Sequence, residues 1–364
     1  MKPSEIARLR LHHQHIAGSR FEQAAEVVAW LGAVQAQDYA QSLWAVGLRM
    51  RSAVEADIER ALAERAIIRT WPMRGTLHFV AAADVWWMLE LLTPRIVANH
   101  ARRLQQEYGL DEAVFTRSSE VFVRALQGGK QLTREAMYQA LEDAGISTAG
   151  QRGLHILWRL AHERLICCAA RAGKQQTFAL LEEWVPRAKP IPRDEALAEL
   201  ARRYFTGHGP ATLQDFAWWS GLTMMDAKAG LEMAKQFLVP EASEGQNYWL
   251  AASMPALKDA SLAAYLLPVY DEYTVAYKDR SAVLNPAFAQ QANAGHGIFN
   301  PTLIVGGQVI GTWKRTLKKN AVIVTPSPFV ALQRTDQRVV AQAAERYGQF
   351  LRLPVVYEEK NDSQ

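Results

Sequence analysis

Cysteine is nearly absent. Of 364 residues only Cys167 and Cys168 carry a thiol, side by side in the apolar run Leu165 to Ala169. Neighbours on a strand point to opposite faces, which argues against a structural disulfide between them. The chain therefore reads as a protein of a reducing compartment, and a cytoplasmic location is expected. No stretch approaches the roughly 18 uninterrupted apolar residues of a membrane span. The opening Met1-Lys2-Pro3-Ser4-Glu5 has no apolar core of the secretory kind, so no membrane partner is expected. A Gly-rich phosphate loop is missing too. Neither sign of charge dominates: Lys plus Arg is 41, Asp plus Glu is 37, and the net charge is +4. So small a surplus names no polyanionic partner, and the distribution of charge must carry that argument. His12, His13 and His15 contain no pair at i and i+4, so neither a metal nor another cofactor is expected.

What is present suits a folded protein. Hydrophobic residues make up 49% and charged residues 21%, and this length fits two or three compact units. Only the polar tail from Glu358 to Gln364 reads as disordered. In the middle third Thr133 caps a helix from about Arg134 to Asp143, and Ala144-Gly145-Ile146 makes a turn. Thr148 with Gln151 has the form of a capping box for a second helix. On that helix Leu154, Leu157, Ala161 and Leu165 recur at helical spacing as the expected buried stripe. Leu165–Ala169 and Thr177–Leu181 then read as strands around the turn at residues 171–175. Helix, turn, helix and hairpin make a winged-helix plan.

The plan recurs. A helix fills about Arg193 to Phe205 and Gly207-His208-Gly209-Pro210 breaks it. Thr212 caps a helix through Trp219, Ser220-Gly221-Leu222 turns, and Thr223 with Asp226 opens a third helix ending near Gln236. The strands 237–239 and 248–250 flank a polar tip at residues 243–247. The N-terminal third is a less regular version. Helices are expected over Glu5–His15, Phe21–Leu31 and Val54–Glu64, then strands Ala66–Trp71 and Thr76–Val80 around Pro72-Met73-Arg74-Gly75, and a helix from Ala82 to Leu92. The last third alternates apolar runs, with Gly306-Gly307 as a hairpin signal and a closing helix over Asp336–Leu351. The expected fold class is mainly α with β-hairpin wings (α+β): tandem winged-helix units over residues 1–110, 111–185 and 193–256, and a small β-rich subdomain over 257–364. Residues 186–192 form the linker, and Trp86, Trp87, Trp218 and Trp219 are read as core.

The sharpest chemical feature is Gln35-Ala36-Gln37. Gly32 stops the preceding helix, and Asp38 with Gln41 looks like the cap of the next. The two glutamines thus fall in a short extended link, where residues two apart share a side. Paired amides can orient a water through their carbonyl oxygens, yet neither removes a proton at neutral pH. The competing reading is that the glutamines only satisfy backbone groups at a helix junction. Asp271 and Glu272, with Lys278, Asp279 and Arg280 nearby, read as a salt-bridged subdomain boundary rather than a carboxylate pair, because adjacent carboxylates diverge on a strand.

Five stretches carry a resemblance: residues 31–48, residues 69–78, Leu266-Leu267-Pro268-Val269-Tyr270-Asp271-Glu272-Tyr273, residues 297–302, and Gly311-Thr312-Trp313-Lys314-Arg315. In that order and spacing, spanning nearly the whole chain, they resemble the AlkZ/YcaQ superfamily of bacterial winged-helix DNA glycosylases. In that family a glutamine, an aliphatic residue and a second glutamine form the catalytic motif of the AlkZ-like branch, and the YcaQ-like branch ends the motif in aspartate. Gln37 at the last position places this chain with the AlkZ-like branch, although Ala36 is small for the middle slot. The resemblance implies catalysis by Gln35 and Gln37 on bases alkylated at the N7 position of guanine, interstrand crosslinks included, in double-stranded DNA.

Expected DNA contacts are Arg74 and His78 on the first wing and Arg152, His155 and Arg159 on the helix after Thr148. The densest cluster is Lys314, Arg315, Lys318 and Lys319 beside Trp313. A monomer is expected. The rival is a transcriptional regulator built from the same units without chemistry, since fold alone does not separate the two.

Overall fold

The computed structural model describes residues 1–18, 20–243, 245–253, 262–295 and 298–358. Glu244 of the expected wing tip, Gly297 of the fourth resembling stretch and residues 359–364 of the polar tail lie outside them. The chain divides into two compact units, residues 1–59 with 198–364, and residues 60–197.

In the unit of residues 60–197 a hairpin of Ile67–Met73 and Thr76–Ala81 reverses at Arg74 and Gly75. Both have positive φ, 53° and 73°, the left-handed pair that suits the right-handed twist of a two-residue hairpin. Pro72 lies inside the strand, where the register shifts between Thr70 and Met73. Arg69 pairs with Cys168 on the second hairpin, Ile166–Cys168 with Thr177–Leu180, and Leu132–Thr133 adds an edge. Both thiols are free and buried, and burial pushes Cys168 up to about 11.

Four helices pack on this sheet: Val85–Tyr108, Glu112–Leu126, Arg134–Asp143 and Arg152–His162. The first runs past the expected stop at Leu92, because Pro94 does not end it. The Thr93 hydroxyl donates to the Leu89 and His162 carbonyls at 2.8 and 2.7 Å, and buried Leu92 and Leu104 hold both sides of the proline. The helix Glu112–Leu126 was absent from the sequence reading, although Asp111 caps it by accepting the Val114 N–H and Phe115, Ser118, Phe122 and Leu126 repeat at helical spacing. Thr148 is not a cap; its hydroxyl and N–H donate to Glu142.

In the unit of residues 1–59 and 198–364, helices cover Pro3–His13, Ala24–Leu31 and Tyr39–Gly47. The capped helices Leu213–Ser220 and Met224–Ala234 precede the hairpin Leu238–Ser243 with Gln246–Ala251. Thr212 and Asp215 form the capping box, and Thr223 accepts the Asp226 N–H. A five-stranded sheet follows, in the order 355–357, 322–328, 308–317, 302–305, 264–267, with the helix Arg334–Leu351. Tyr347 meets Trp44 and Trp313 edge to face and Phe350 meets Trp44 at a tilt, all with ring centres at about 5 Å. Such a ring removes roughly 150–250 Å² from water, worth up to about 4–6 kcal/mol. A Cβ on Gly47 would sit 2.4 Å from the Phe350 ring, so only glycine lets the helix Tyr39–Gly47 approach that cluster. Trp86, Trp87 and Trp219 are core, whereas Trp218 is 48% exposed, a correction to the expectation. Its ring edge donates to the Val275 carbonyl.

Candidate active site

The helix Ala24–Leu31 stops at Gly32, whose φ of 77° permits the reversal. Val34 and Gln35 then run as a short strand, Ala36 is fully buried, and the next helix starts at Tyr39. Asp38 caps it by accepting the Gln41 N–H at 3.1 Å. The glutamines thus occupy the extended link that their spacing implied. Gln35 is 9% exposed, while Gln37 is open to solvent.

What holds this link was not visible in the sequence. The Gln35 N–H donates to Glu272 Oε1 at 3.1 Å. The Val269 N–H donates to Gln41 Oε1 at 2.9 Å, and Trp44 Nε1 to the Leu266 carbonyl at 2.7 Å. Arg49 reaches both oxygens of Asp271 at 2.9 Å, and its remaining donors meet the Gln14 and Ala45 carbonyls and the Gln14 side chain. Four separate ties therefore fasten residues 35–49 to residues 266–272. Fully satisfied buried networks of this kind fix one geometry.

The acidic pair also has partners other than those expected. Asp271 is bound by Arg49, not by Lys278 or Arg280. Glu272, fully buried, accepts Trp219 Nε1 at 2.9 Å and faces His208 Nε2 at 3.3 Å. The N–H groups of Lys278 and Asp279 turn instead to Asp215. The pair does not stand on a strand as expected: Asp271 caps the short helix Glu272–Val275, and the partners of both come from distant helices that no local spacing reveals.

The basic hairpin belongs to the same unit. Lys314, Lys318 and Lys319 are exposed and Arg315 is half-buried. Arg315 donates to the Tyr347 hydroxyl. Burial raises the Tyr347 phenol, Arg315 opposes this, and the carboxylates of Glu55 and Asp38 act on it from a distance. Asp38 also acts on Tyr270, whose phenol is raised mainly by burial. Gln37 thus precedes a carboxylate that both tyrosines sense, and one of them carries a hairpin arginine.

In the other unit Arg74 is half-exposed at the hairpin turn, its guanidinium 3.4 Å from His78 Nε2. His78 itself is fully buried, with Nδ1 against the Thr76 carbonyl at 2.9 Å. Its expected approach to DNA is corrected by that burial. Arg159 needs the same correction. It is 4% exposed and bridges Glu112 and Glu163 at 2.9 and 2.7 Å. Leu154, assigned to the buried stripe, is 41% exposed. Leu157 and Ala161 of that stripe are buried as expected, joined by Ile156 and Leu160, because the helix Glu112–Leu126, not among the expected elements, covers that side. Arg152 is half-exposed, with donors on the Ser147 and Tyr108 carbonyls. His155 is half-exposed, its ring 4.2 Å from that of Tyr108.

Among the described residues no group of three or more His, Cys, Asp or Glu could hold a metal, and no helix is long and apolar enough to cross a membrane. A 25%-identical relative is an interstrand DNA cross-link repair glycosylase of Streptomyces sahachiroi, matched over 96% of this chain and 98% of its own length. The solved structure of Streptomyces sahachiroi DNA glycosylase AlkZ superposes with a TM-score of 0.77 at 22% identity, covering 98% of this chain and all of that one. The family model of DNA glycosylase AlkZ-like proteins matches residues 28–350. The chain belongs to the AlkZ-like DNA glycosylase family.

Proposed function

We propose that this DNA glycosylase hydrolyses the N-glycosidic bond of cationic alkylated bases of the 7-alkylguanine type, with Gln35 and Gln37 aligning the attacking water. Interstrand crosslinks, which the Streptomyces relative is named for repairing, belong to the same chemical class. A base alkylated at N7 is positively charged and departs neutral, so no general acid is required. The protein's task reduces to placing a water below the anomeric carbon and tolerating an oxocarbenium-like transition state. Positioning of this kind supplies roughly 7–11 kcal/mol in favourable cases.

The observation that carries this reading is the support under the link. Gln35 is immobilised through its own backbone N–H on Glu272, while Gln37, two residues on, is exposed immediately before a capped helix. A helix N-terminus presents positive potential, and Lys314, Lys318 and Lys319 add exposed charge for phosphate. In the same reading the segments 1–110, 111–185, 193–256 and 257–364 act as successive DNA-gripping units, with Arg74, Arg152 and His155 as further contacts.

The test is release of free base from duplex DNA carrying 7-methylguanine. The parent enzyme releases it, and Gln37→Ala does not. Equal release by both proteins removes the glutamines from the mechanism. Borohydride does not trap the enzyme on DNA, because no lysine forms a covalent intermediate; trapping would refute direct hydrolysis.

A further inference from the structure

The segment Pro268-Val269-Tyr270-Asp271 is a β-turn closed by the Asp271 N–H on the Pro268 carbonyl at 3.3 Å. Tyr270 holds its third position with φ of 61°, a conformation that turn chemistry reserves for glycine or asparagine. The other left-handed non-glycine positions among the described residues are His15, Arg65, Arg74, Arg164 and Arg352. None of those carries a phenol. A bulky ring kept at an unfavourable backbone position points to a role for the ring itself.

The surroundings say what role. Residues on either side of Tyr270 are bonded to the glutamine link and the helix after it: Glu272 to Gln35, Val269 to Gln41 and Asp271 to Arg49. Tyr270 therefore lies on a turn fastened to residues 35–49, near enough to Asp38, the residue after Gln37, for that carboxylate to act on its phenol. Its side chain is half-exposed. An aromatic face attracts a cation held over it, and stacks on any base. We propose that Tyr270 packs its ring against the damaged base and selects for lesions that carry positive charge. This rests on the function proposed above and adds to it a specificity-determining residue.

Glycine separates ring from backbone. Tyr270→Gly removes the ring yet suits the left-handed turn, so the fold and thermal midpoint are maintained. Single-turnover release of 7-methylguanine should fall about tenfold or more, the scale of one lost base–aromatic contact. Affinity for an undamaged duplex should change less than about twofold, since phosphate contacts dominate it. Tyr270→Phe keeps the face and should stay within about threefold of the parent rate, because the ring face carries the contact. Unchanged release by Tyr270→Gly overturns the proposal, as does an equal loss of affinity for damaged and undamaged DNA, which would make the ring a general DNA contact. A parent enzyme that releases no 7-methylguanine refutes the underlying function, and this inference with it.

Discussion

Replacing Glu272 by glutamine changes one oxygen to an amino group and leaves shape and volume intact. One carboxylate oxygen accepts the Gln35 N–H, and the other accepts Trp219 Nε1 and faces His208 Nε2. Whichever way the new amide turns, its NH2 meets an N–H donor in a site with no solvent. A hydrogen bond to a charged group contributes about 1.5–3 kcal/mol, and a buried polar group left unmatched costs a further 1–3 or so. The sum is about 2.5–6 kcal/mol, which spans the range of about 3–5 for breaking a buried ionic pair and is a large share of the roughly 5–15 kcal/mol that holds a domain together. Urea unfolding followed by tryptophan fluorescence, with Trp219 at the site, reads the loss directly. The kinetic consequence is separate. A 1 Å displacement of a positioning group costs about 100-fold in rate, so single-turnover base release should fall by that order under conditions where the variant is still folded. A Glu272→Gln protein with the parent's unfolding midpoint, slope and release rate would show that this carboxylate does not hold the glutamine link.

Asp271→Asn leaves the Arg49 guanidinium buried without the carboxylate charge that balances it and should cost about 3–5 kcal/mol in the same urea assay; an apolar pair at both positions should recover much of it. Lys318→Ser with Lys319→Ser should flatten the log affinity against log salt slope by about 1.8 if both lysines sit on phosphates, and an unchanged slope removes the hairpin tip from the interface. Acid should destabilise the fold through its buried histidines. Burial lowers His13 and His162 to about 4, so between pH 6.5 and 4 the unfolded chain takes up protons that the folded one refuses. Stability is untouched above that window and falls as pH drops through it, by about 2 kcal/mol per ring between pH 7 and 5. His162→Gln should shrink the drop by one ring's share, and an unaltered pH profile would refute the assignment.

Much of the local chemistry was legible in the sequence, the capping box expected at Thr148 excepted, because Glu142 takes that hydroxyl. Thr133, Thr212 and Thr223 cap helices as read, Gly32 ends one, and Gly306-Gly307 turns a hairpin. The extended link of Gln35-Ala36-Gln37 followed from the same signals, since a stop and a cap with only five residues between them leave no room for a helix. The helix from Val85 outlasts the expected end at Leu92, since a proline's cost of a few kcal/mol is set locally whereas the packing on both sides of Pro94 that offsets it is not.

What only the tertiary structure decided is the set of long-range partners. Glu272 lies 237 positions from Gln35, and Asp271 lies 222 from Arg49, so no periodicity or motif spacing links them. Arg159 and Leu154 exchanged faces because another helix chose which side of theirs to cover. The chain itself specifies that two amides stand in an extended link. The buried carboxylate of Glu272, brought to the Gln35 backbone N–H only by the tertiary fold, is what anchors that link.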